Sequence, residues 1–326
     1  MRYEHERMVA IEAVIKACCL CQSIRKTYLP DDVREKEDRS PVTIADLSAQ
    51  AVISLDLFEI FSHDAIAAEE GLAGLGDDIK EKVVLQVKNF FPALGPEKIF
   101  TAIERCAYEG GSRGRFWVLD PVDGTKGFIR GEQYAIALAL VEEGEVVLGV
   151  LGCPNLPGNF DKPDGSRGSI FVAAKGQGSV MRYINDSAER KIKVANSSDF
   201  SQALFCESFE RAHSSHNHAA RIAEVLGIKK PPVRMDSQGK YGIVARGEAT
   251  IYLRLPTKKG YEEKIWDHAA GWLIVKEAEG EVTDIQGKPL DFSQGRTLSQ
   301  NYGVVATNGK LHSQVLSAIK KVYETP

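Results

Sequence analysis

The chain has 326 residues, of which 43% are hydrophobic and 26% charged, proportions of a folded globular protein rather than a disordered or fibrous one. Its length suits one large or two medium domains. With 41 Lys and Arg against 45 Asp and Glu, the formal net charge is −4, which argues against a duplex nucleic-acid binder but leaves room for local cations around a small anion.

The apolar spacing from Tyr3 to Leu29 predicts a helix. Met8, Ile11, Val14, Cys18 and Cys21 share one stripe of it, so the CxxC of Cys18 and Cys21 reads as core rather than as a zinc or redox pair. No second ligand pair follows, and the six cysteines are too irregularly placed for a disulfide framework. No apolar run approaches the roughly 18 residues that span a bilayer, and MRYEHERMVA carries charge where a secretory leader is apolar. The expectation is a cytoplasmic protein with no membrane partner.

After the polar linker PDDVREKEDRSP, a second helical pattern begins near Thr43, with Asp46 three residues on at the spacing of a capping box. AIAAEE, ending at Glu69 and Glu70, reads as a short strand entering a Gly-containing loop. Two helical patterns occupy about 79–108, before the buried strand FWVL. QYAIALALVEEGEVVLGVLGCPNLP is two apolar runs around an EEGE turn, a β-hairpin. The Pro/Gly-rich PNLPGNFDKPDGSRG places a domain seam, giving an N-terminal α+β domain of 1–157 and a C-terminal α/β domain of 158–326. SIFVAA, a KGQG turn, another strand and alternating strand and helix patterns then lead to a C-terminal helix over about 310–323.

The chemistry concentrates in WVLDPVDGTKGF, Trp117 to Phe128. Asp120 and Asp123 are hard oxygen donors, the Val122 carbonyl lies between them, and Gly124 and Thr125 supply a flexible backbone and a hydroxyl; this set suits Mg²⁺ beside a phosphate ester. The aspartyl-phosphate signature DxDGT needs a nucleophilic Asp two residues before the second carboxylate. Pro121 stands there, so a metal-activated water is the expected attacker. An EF-hand fails because no acidic residue closes a loop of the required length. A strand-end turn with capping carboxylates accounts for Asp123 but not for its pairing with Asp120.

This segment, with PVTIAD, AAEEG and EKIWDHAAG in order, closely resembles the inositol monophosphatase superfamily of lithium-sensitive, Mg²⁺-dependent phosphatases over essentially the whole chain. HSSH, DSQGKYG, IYLRLP and GYEEKIWDHAAG resemble its 3′(2′),5′-bisphosphate nucleotidase branch. The resemblance implies an α+β or α/β chain folded as a layered αβαβα sandwich, and a monomer is expected. It implies two or three Mg²⁺ ions held by Glu69, Asp120, Asp123, Asp267 and the Val122 carbonyl, and inhibition by Li⁺ or Na⁺. Asp46 and Thr125 would orient the nucleophilic water, and the amides of Gly124 and Thr125 would hold phosphate oxygens. His213, Ser237, Lys240 and Arg254 would bind the nucleotide, with Gln238 and Tyr241 as neighbours.

The implied reaction removes the 3′-phosphate of adenosine 3′,5′-bisphosphate, a small-molecule nucleotide, and extends to its sulfated relative and to inositol 1,4-bisphosphate. From the residues alone, Asp46 as a simple cap and Glu69–Glu70 as a solvated acidic pair stay open, as do an inositol phosphate phosphatase and a catalytically silent sensor. One departure is Gly239, where members of that branch carry Ala; it alters backbone freedom more than chemistry.

Overall fold

The computed structural model describes residues 2–27, 34–35, 41–42, 44–159, 165–209, 216–258 and 260–324. Its first half is α1 (Glu4–Thr27), β1 (Arg34–Glu35), β2 (Pro41–Val42), α2 (Ile44–Ile60), β3 (Ala65–Ala68), α3 (Asp77–Lys88), α4 (Pro96–Glu104), β4 (Arg115–Asp123), α5 (Thr125–Arg130), β5 (Ala135–Glu142) and β6 (Glu145–Pro157). β7 (Arg167–Ala174), β8 (Ser179–Tyr183) and β9 (Asp186–Ile192) follow, then β10 (Phe205–Glu207), α6 (His216–Val225), β11 (Val233–Arg234), α7 (Gly239–Ala245) and β12 (Ile251–Arg254). The chain closes with a 3-10 turn (Ile265–Asp267), α8 (Ala269–Glu277), β13 (Glu281–Thr283), β14 (Val304–Thr307) and α9 (His312–Glu324).

Strands with apolar residues on both faces need a layer on each side, and the burial pattern supplies those layers. In β5, Ile136, Leu138 and Leu140 face one core with residues of α1 and α2, while Ala135, Ala137, Ala139 and Val141 face a second core with α7 and α8. Across that second core lie Tyr252 of β12 and Val304 and Ala306 of β14; the alternate residues Ile251, Leu253 and Val305 pack with α6 and α9 in a third. The order is helices, seven-stranded sheet, helices, five-stranded sheet, helices, the expected αβαβα sandwich.

The seven-stranded sheet runs β3-β4-β5-β6-β7-β8-β9, parallel only between β3 and β4. The five-stranded sheet runs β11-β10-β12-β14-β13, with β10 parallel to both its neighbours. The EEGE hairpin forms as read: Glu143 and Gly144 take φ of 49° and 78°, the left-handed pair of a two-residue turn that matches strand twist. The seam expected after Pro157 is relocated, because β6 and β7 pair antiparallel across it and the same sheet continues to Ile192. The change of sheet falls at 193–204. The expected stripe on α1 holds for Ile11, Val14, Cys18 and Cys21 but not for Met8, which is 50% exposed. Both CxxC thiols are free and buried, as the core reading requires. Among the described residues no helix is long and apolar enough to cross a membrane.

β4 is anchored at its start by charge. Arg115 Nε meets Asp64 at 2.9 Å and its Nη1 meets Glu6 of α1 at 2.9 Å, while Asp64 Oδ2 also accepts the indole N–H of fully buried Trp117 at 3.0 Å. Asp64→Ala strands that buried donor, so an equilibrium denaturation series is expected to show a loss of about 1–3 kcal/mol.

Candidate active site

A regular strand points residues i and i+3 to opposite faces, so Asp120 and Asp123 could not share a site on an unbroken β4. The pairing with β5 breaks between them: Asp120 pairs with Ala137 and Asp123 with Ala135, three steps on one strand against two on the other. This bulge turns both carboxylates to one side. Gly124 follows with φ 84°, a conformation that suits glycine, and a Cβ there would lie 3.1 Å from Ser237 Cβ. Thr125 Oγ1 donates to the Val122 carbonyl at 3.2 Å.

Asp120 is 1% exposed. Its carboxyl is raised well above the ordinary 3.8, first by burial and then by Glu69, Asp123, Asp267 and Asp46, in that order. Carboxylates from β4, from the end of β3, from α2 and from the turn before α8 therefore act on one point, although up to 221 residues apart in sequence (267 minus 46). Among the described residues Asp120 Oδ1 is buried without a hydrogen-bond partner. An orphaned buried carboxylate oxygen ringed by other carboxylates is a donor set for a hard divalent cation such as Mg²⁺, and the residues present fit one.

Asp123 is also raised: burial pushes it up, and Lys240, the Gln238 amide, Arg254 and His268 offset part of that. In Asp267, burial raises the carboxyl, Arg254 and His268 pull it down, and Asp123 and Glu263 push it up, with a net rise. Asp46 lies at the third position of α2 and is 1% exposed. Thr43, its partner in the expected capping box, lies outside the described residues. Of the two glutamates after β3, Glu69 is the one that acts on Asp120, while Glu70 is clamped through its backbone.

That clamp is Gln50, one turn beyond Asp46 on α2. Its Nε2 donates to the Glu70 carbonyl at 3.0 Å and its Oε1 accepts the Glu70 amide at 3.1 Å. Gln238 links two other acidic positions: its backbone N–H donates to Asp123 Oδ2 and its side-chain Nε2 donates to the Trp266 carbonyl at 2.8 Å, next to Asp267. The sequence marked Gln238 only as a neighbour and missed Gln50. Its spacing of i+4 from Asp46 was the available signal.

The residues assigned to the nucleotide are distributed unevenly. His213 lies outside the described residues. Ser237, with φ 73°, abuts Gly124, which brings the DSQGK turn against the DGT turn. Lys240 is 3% exposed and donates to the carbonyls of Met235 and Ser237 at 3.2 and 2.7 Å; burial lowers its basicity. Its ammonium addresses backbone rather than open space, so in this structure it holds the turn that carries Ser237. Gly239 sits against Gln133, where an added Cβ would lie 3.2 Å from Nε2. Tyr241 is fully buried and bonds His268 Nδ1 at 2.7 Å.

Arg254, at the end of β12, lies 2.6 Å from Glu263 and donates to Asp267 at 3.1 Å. Glu263, Asp267 and His268 bring ligand atoms within 4.8 Å of one another. Glu263 and His268 are already engaged with each other at 3.2 Å. Burial alone would raise Glu263, but Arg254 and His268 hold it at about 2. This trio is best described as a buried ion-pair network that braces Asp267, and Glu263 and His268 were not singled out from the sequence.

The sequence profile of the inositol monophosphatase family matches residues 3–324. The chain is 44% identical over 350 aligned positions to a 3′(2′),5′-bisphosphate nucleotidase of Emericella nidulans, covering 99% of each chain. It is 45% identical to 3′(2′),5′-bisphosphate nucleotidase 1 of Arabidopsis thaliana, covering 98% of this chain and 97% of the relative. Among solved structures, the IMPase of Thermotoga maritima superposes with a TM-score of 0.66 at 23% identity, over 97% of this chain and 96% of that one. The inositol monophosphatase of an Anabaena superposes over 98% and 97%, with a TM-score of 0.64 at 21% identity. Family membership implies metal-dependent catalysis, generally with Mg²⁺. On its sequence, its layered fold and its acidic centre, this chain belongs to the inositol monophosphatase family.

Proposed function

We propose that this protein is a Mg²⁺-dependent 3′(2′),5′-bisphosphate nucleotidase that converts adenosine 3′,5′-bisphosphate to AMP and phosphate. The observation that carries the reading is the action of Glu69, Asp123, Asp267 and Asp46 on the buried Asp120, in a chain 44% identical to a nucleotidase over nearly its full length. Glu69, Asp120, Asp123, Asp267 and the Val122 carbonyl would hold two or three Mg²⁺ ions. Bound Mg²⁺ supplies Lewis acidity that neutralises phosphate charge and lowers the pKa of an attacking water.

Thr125 gives its own hydroxyl proton to the Val122 carbonyl, which leaves its oxygen lone pairs to accept from that water, with Asp46 as the second acceptor. The water oxygen attacks phosphorus in line, the bond from phosphorus to the ribose 3′-oxygen breaks, and the proton that the attacking water gives up to Asp46 is matched by one that the leaving 3′-oxygen takes from solvent water. The amides of Gly124 and Thr125 hold phosphate oxygens. Ser237 and His213 address the nucleoside, Arg254 supplies positive charge for the 5′-phosphate, and Lys240 contributes to nucleotide binding through the turn that carries Ser237. Inhibition by Li⁺ or Na⁺, a monomeric state, a cytoplasmic site of action and turnover of the sulfated nucleotide or inositol 1,4-bisphosphate belong to this reading through the family resemblance.

Side-by-side kcat/KM values with Mg²⁺ on adenosine 3′,5′-bisphosphate and inositol 1,4-bisphosphate are expected to favour the nucleotide; preference for the inositol ester overturns the reading.

Asp120→Asn is expected to lower turnover by on the order of 100-fold or more, since outer-shell partners alone cost about 10–100-fold. The same change is expected to stabilise the protein in EDTA. Asp120 in the native state retains a proton that the unfolded chain releases above its ordinary 3.8, so this group's contribution falls as pH rises from there towards its native pKa. Melting curves from pH 5 to 8 in EDTA should show a shallower loss for Asp120→Asn than for the wild type; parallel curves would remove Asp120 from the buried acidic centre.

A further inference from the structure

Arg296 lies far in sequence from every motif above, yet its two ends meet both halves of the acidic centre. On the backbone side, its carbonyl accepts Ile265 N–H at 3.2 Å, and Leu298 N–H donates to Glu263 at 2.8 Å. Lys264 and Thr297 form a bridge between the same two segments. The 296–298 segment is thereby laced to the chain that delivers Asp267. On the side-chain side, the guanidinium reaches to the end of β3: Nη2 donates to the Ala68 carbonyl, one residue before Glu69, and Nη1 donates to the Tyr108 carbonyl at 2.9 Å. Tyr108 itself is tied to β3 through its amide, which donates to Ile66 at 3.0 Å. Between these ends the guanidinium lies 4.7 Å from the centre of the Trp266 ring, and Trp266 is the residue before Asp267.

The two loops that Arg296 joins are fitted to each other independently of its charge. Gly110 and Gly295 have φ of 71° and 96°, and a Cβ on Gly110 would lie 3.1 Å from the Gly295 carbonyl carbon. A Cβ on Gly295 would lie 3.1 Å from the Glu109 carbonyl oxygen. Backbone meets backbone there, which brings the Arg296 stem within reach of β3. Burial lowers the basicity of the guanidinium, and the carboxylates of Glu109 and Glu69 offset part of that.

We propose that Arg296 is a positioning residue for the cation site, one side chain that fixes the spacing between Glu69 and Asp267. It rests on the reading that these carboxylates hold divalent metal. A forked donor suits the geometry: two carbonyls in different segments are satisfied while the guanidinium lies over an indole, and a lysine ammonium offers only a point charge. Partners behind metal ligands typically change affinity by about 10–100-fold when removed.

The test uses the full-length protein as wild type, Arg296→Lys and Arg296→Gln. Mn²⁺ binding without nucleotide is followed by the electron paramagnetic resonance signal of the free ion, folding by circular dichroism, and kcat and nucleotide KM at saturating Mg²⁺. Both variants are expected to bind Mn²⁺ about tenfold or more weakly, and to need correspondingly more Mg²⁺ for half-maximal rate, with nucleotide KM unchanged once metal saturates. Unchanged Mn²⁺ affinity in the folded variants, even with a lowered Tm, assigns Arg296 to packing and overturns the proposal; Arg296→Lys serves alone if Arg296→Gln does not fold. Wild-type affinity in Arg296→Lys with loss in Arg296→Gln shows that charge suffices and also overturns it. A wild type that binds no Mn²⁺ overturns instead the cation-site reading on which the proposal stands.

Discussion

Like charge gathered in a dry place is the constraint around which this molecule is arranged. Two unit charges roughly 4 Å apart repel by about 4 kcal/mol at an effective dielectric near 20, against a total stability of about 5–15 kcal/mol for an ordinary domain. Asp120 and the four carboxylates acting on it cannot all be ionised without compensation. The raised affinities of Asp120, Asp123 and Asp267 for protons are one response, and a divalent cation is the other. The surrounding polar groups are organised against the repulsion that remains.

Those groups act on backbone as much as on charge. Gln50 grips both faces of the Glu70 peptide, Gln238 spans from Asp123 to the carbonyl before Asp267, and Arg254 meets Asp267 from a strand of the second sheet. The middle helical layer supports them sterically. A Cβ on Gly149 would lie 2.8 Å from the Ala270 carbonyl oxygen and one on Gly271 2.2 Å from the Tyr241 ring, so α8 lies close on both β6 and α7 because small residues face it. That proximity carries Asp267 to β4. Packing and chemistry are the same contacts viewed at different ends of one short helix.

Much of this was legible in the sequence, and what was legible was local or carried by contiguous motifs. Helical spacing gave α1, and the EEGE turn gave the β5–β6 hairpin. The DPVDGT run named the carboxylates, because a strand followed by two hard donors and a glycine turn has few other uses. The bulge was not legible, since a register shift depends on the partner strand. The seam after Pro157 misled because a Pro/Gly-rich stretch marks a break in regular structure and does not say whether the strands on either side pair. Met8 fits the α1 stripe by spacing, yet lies near the helix start where the stripe has left the core. Gln50 and Arg296 escaped notice because their partners are backbone carbonyls and amides, which leave no trace in side-chain patterns. Lys240 came with the family resemblance as a nucleotide-binding cation, and its burial at 3% sets the ammonium against the turn beneath Ser237, a contact that sequence spacing does not announce.

The strand change at 193–204 divides the labour of the chain. Everything before it, from α1 to β9, is a nearly self-contained sheet with helices on one face, and it already carries Asp46, Glu69, Asp120 and Asp123. Among the described residues its other face is closed mostly by segments encoded later. A truncated polypeptide ending there would possess most of the acidic basin but lack most of the wall opposite it, and its alanine-lined face would lie largely bare to solvent. The later segments therefore supply together the cover for that face and the last carboxylate of the basin, so loss of the second sheet would cost solubility and the acidic basin at once.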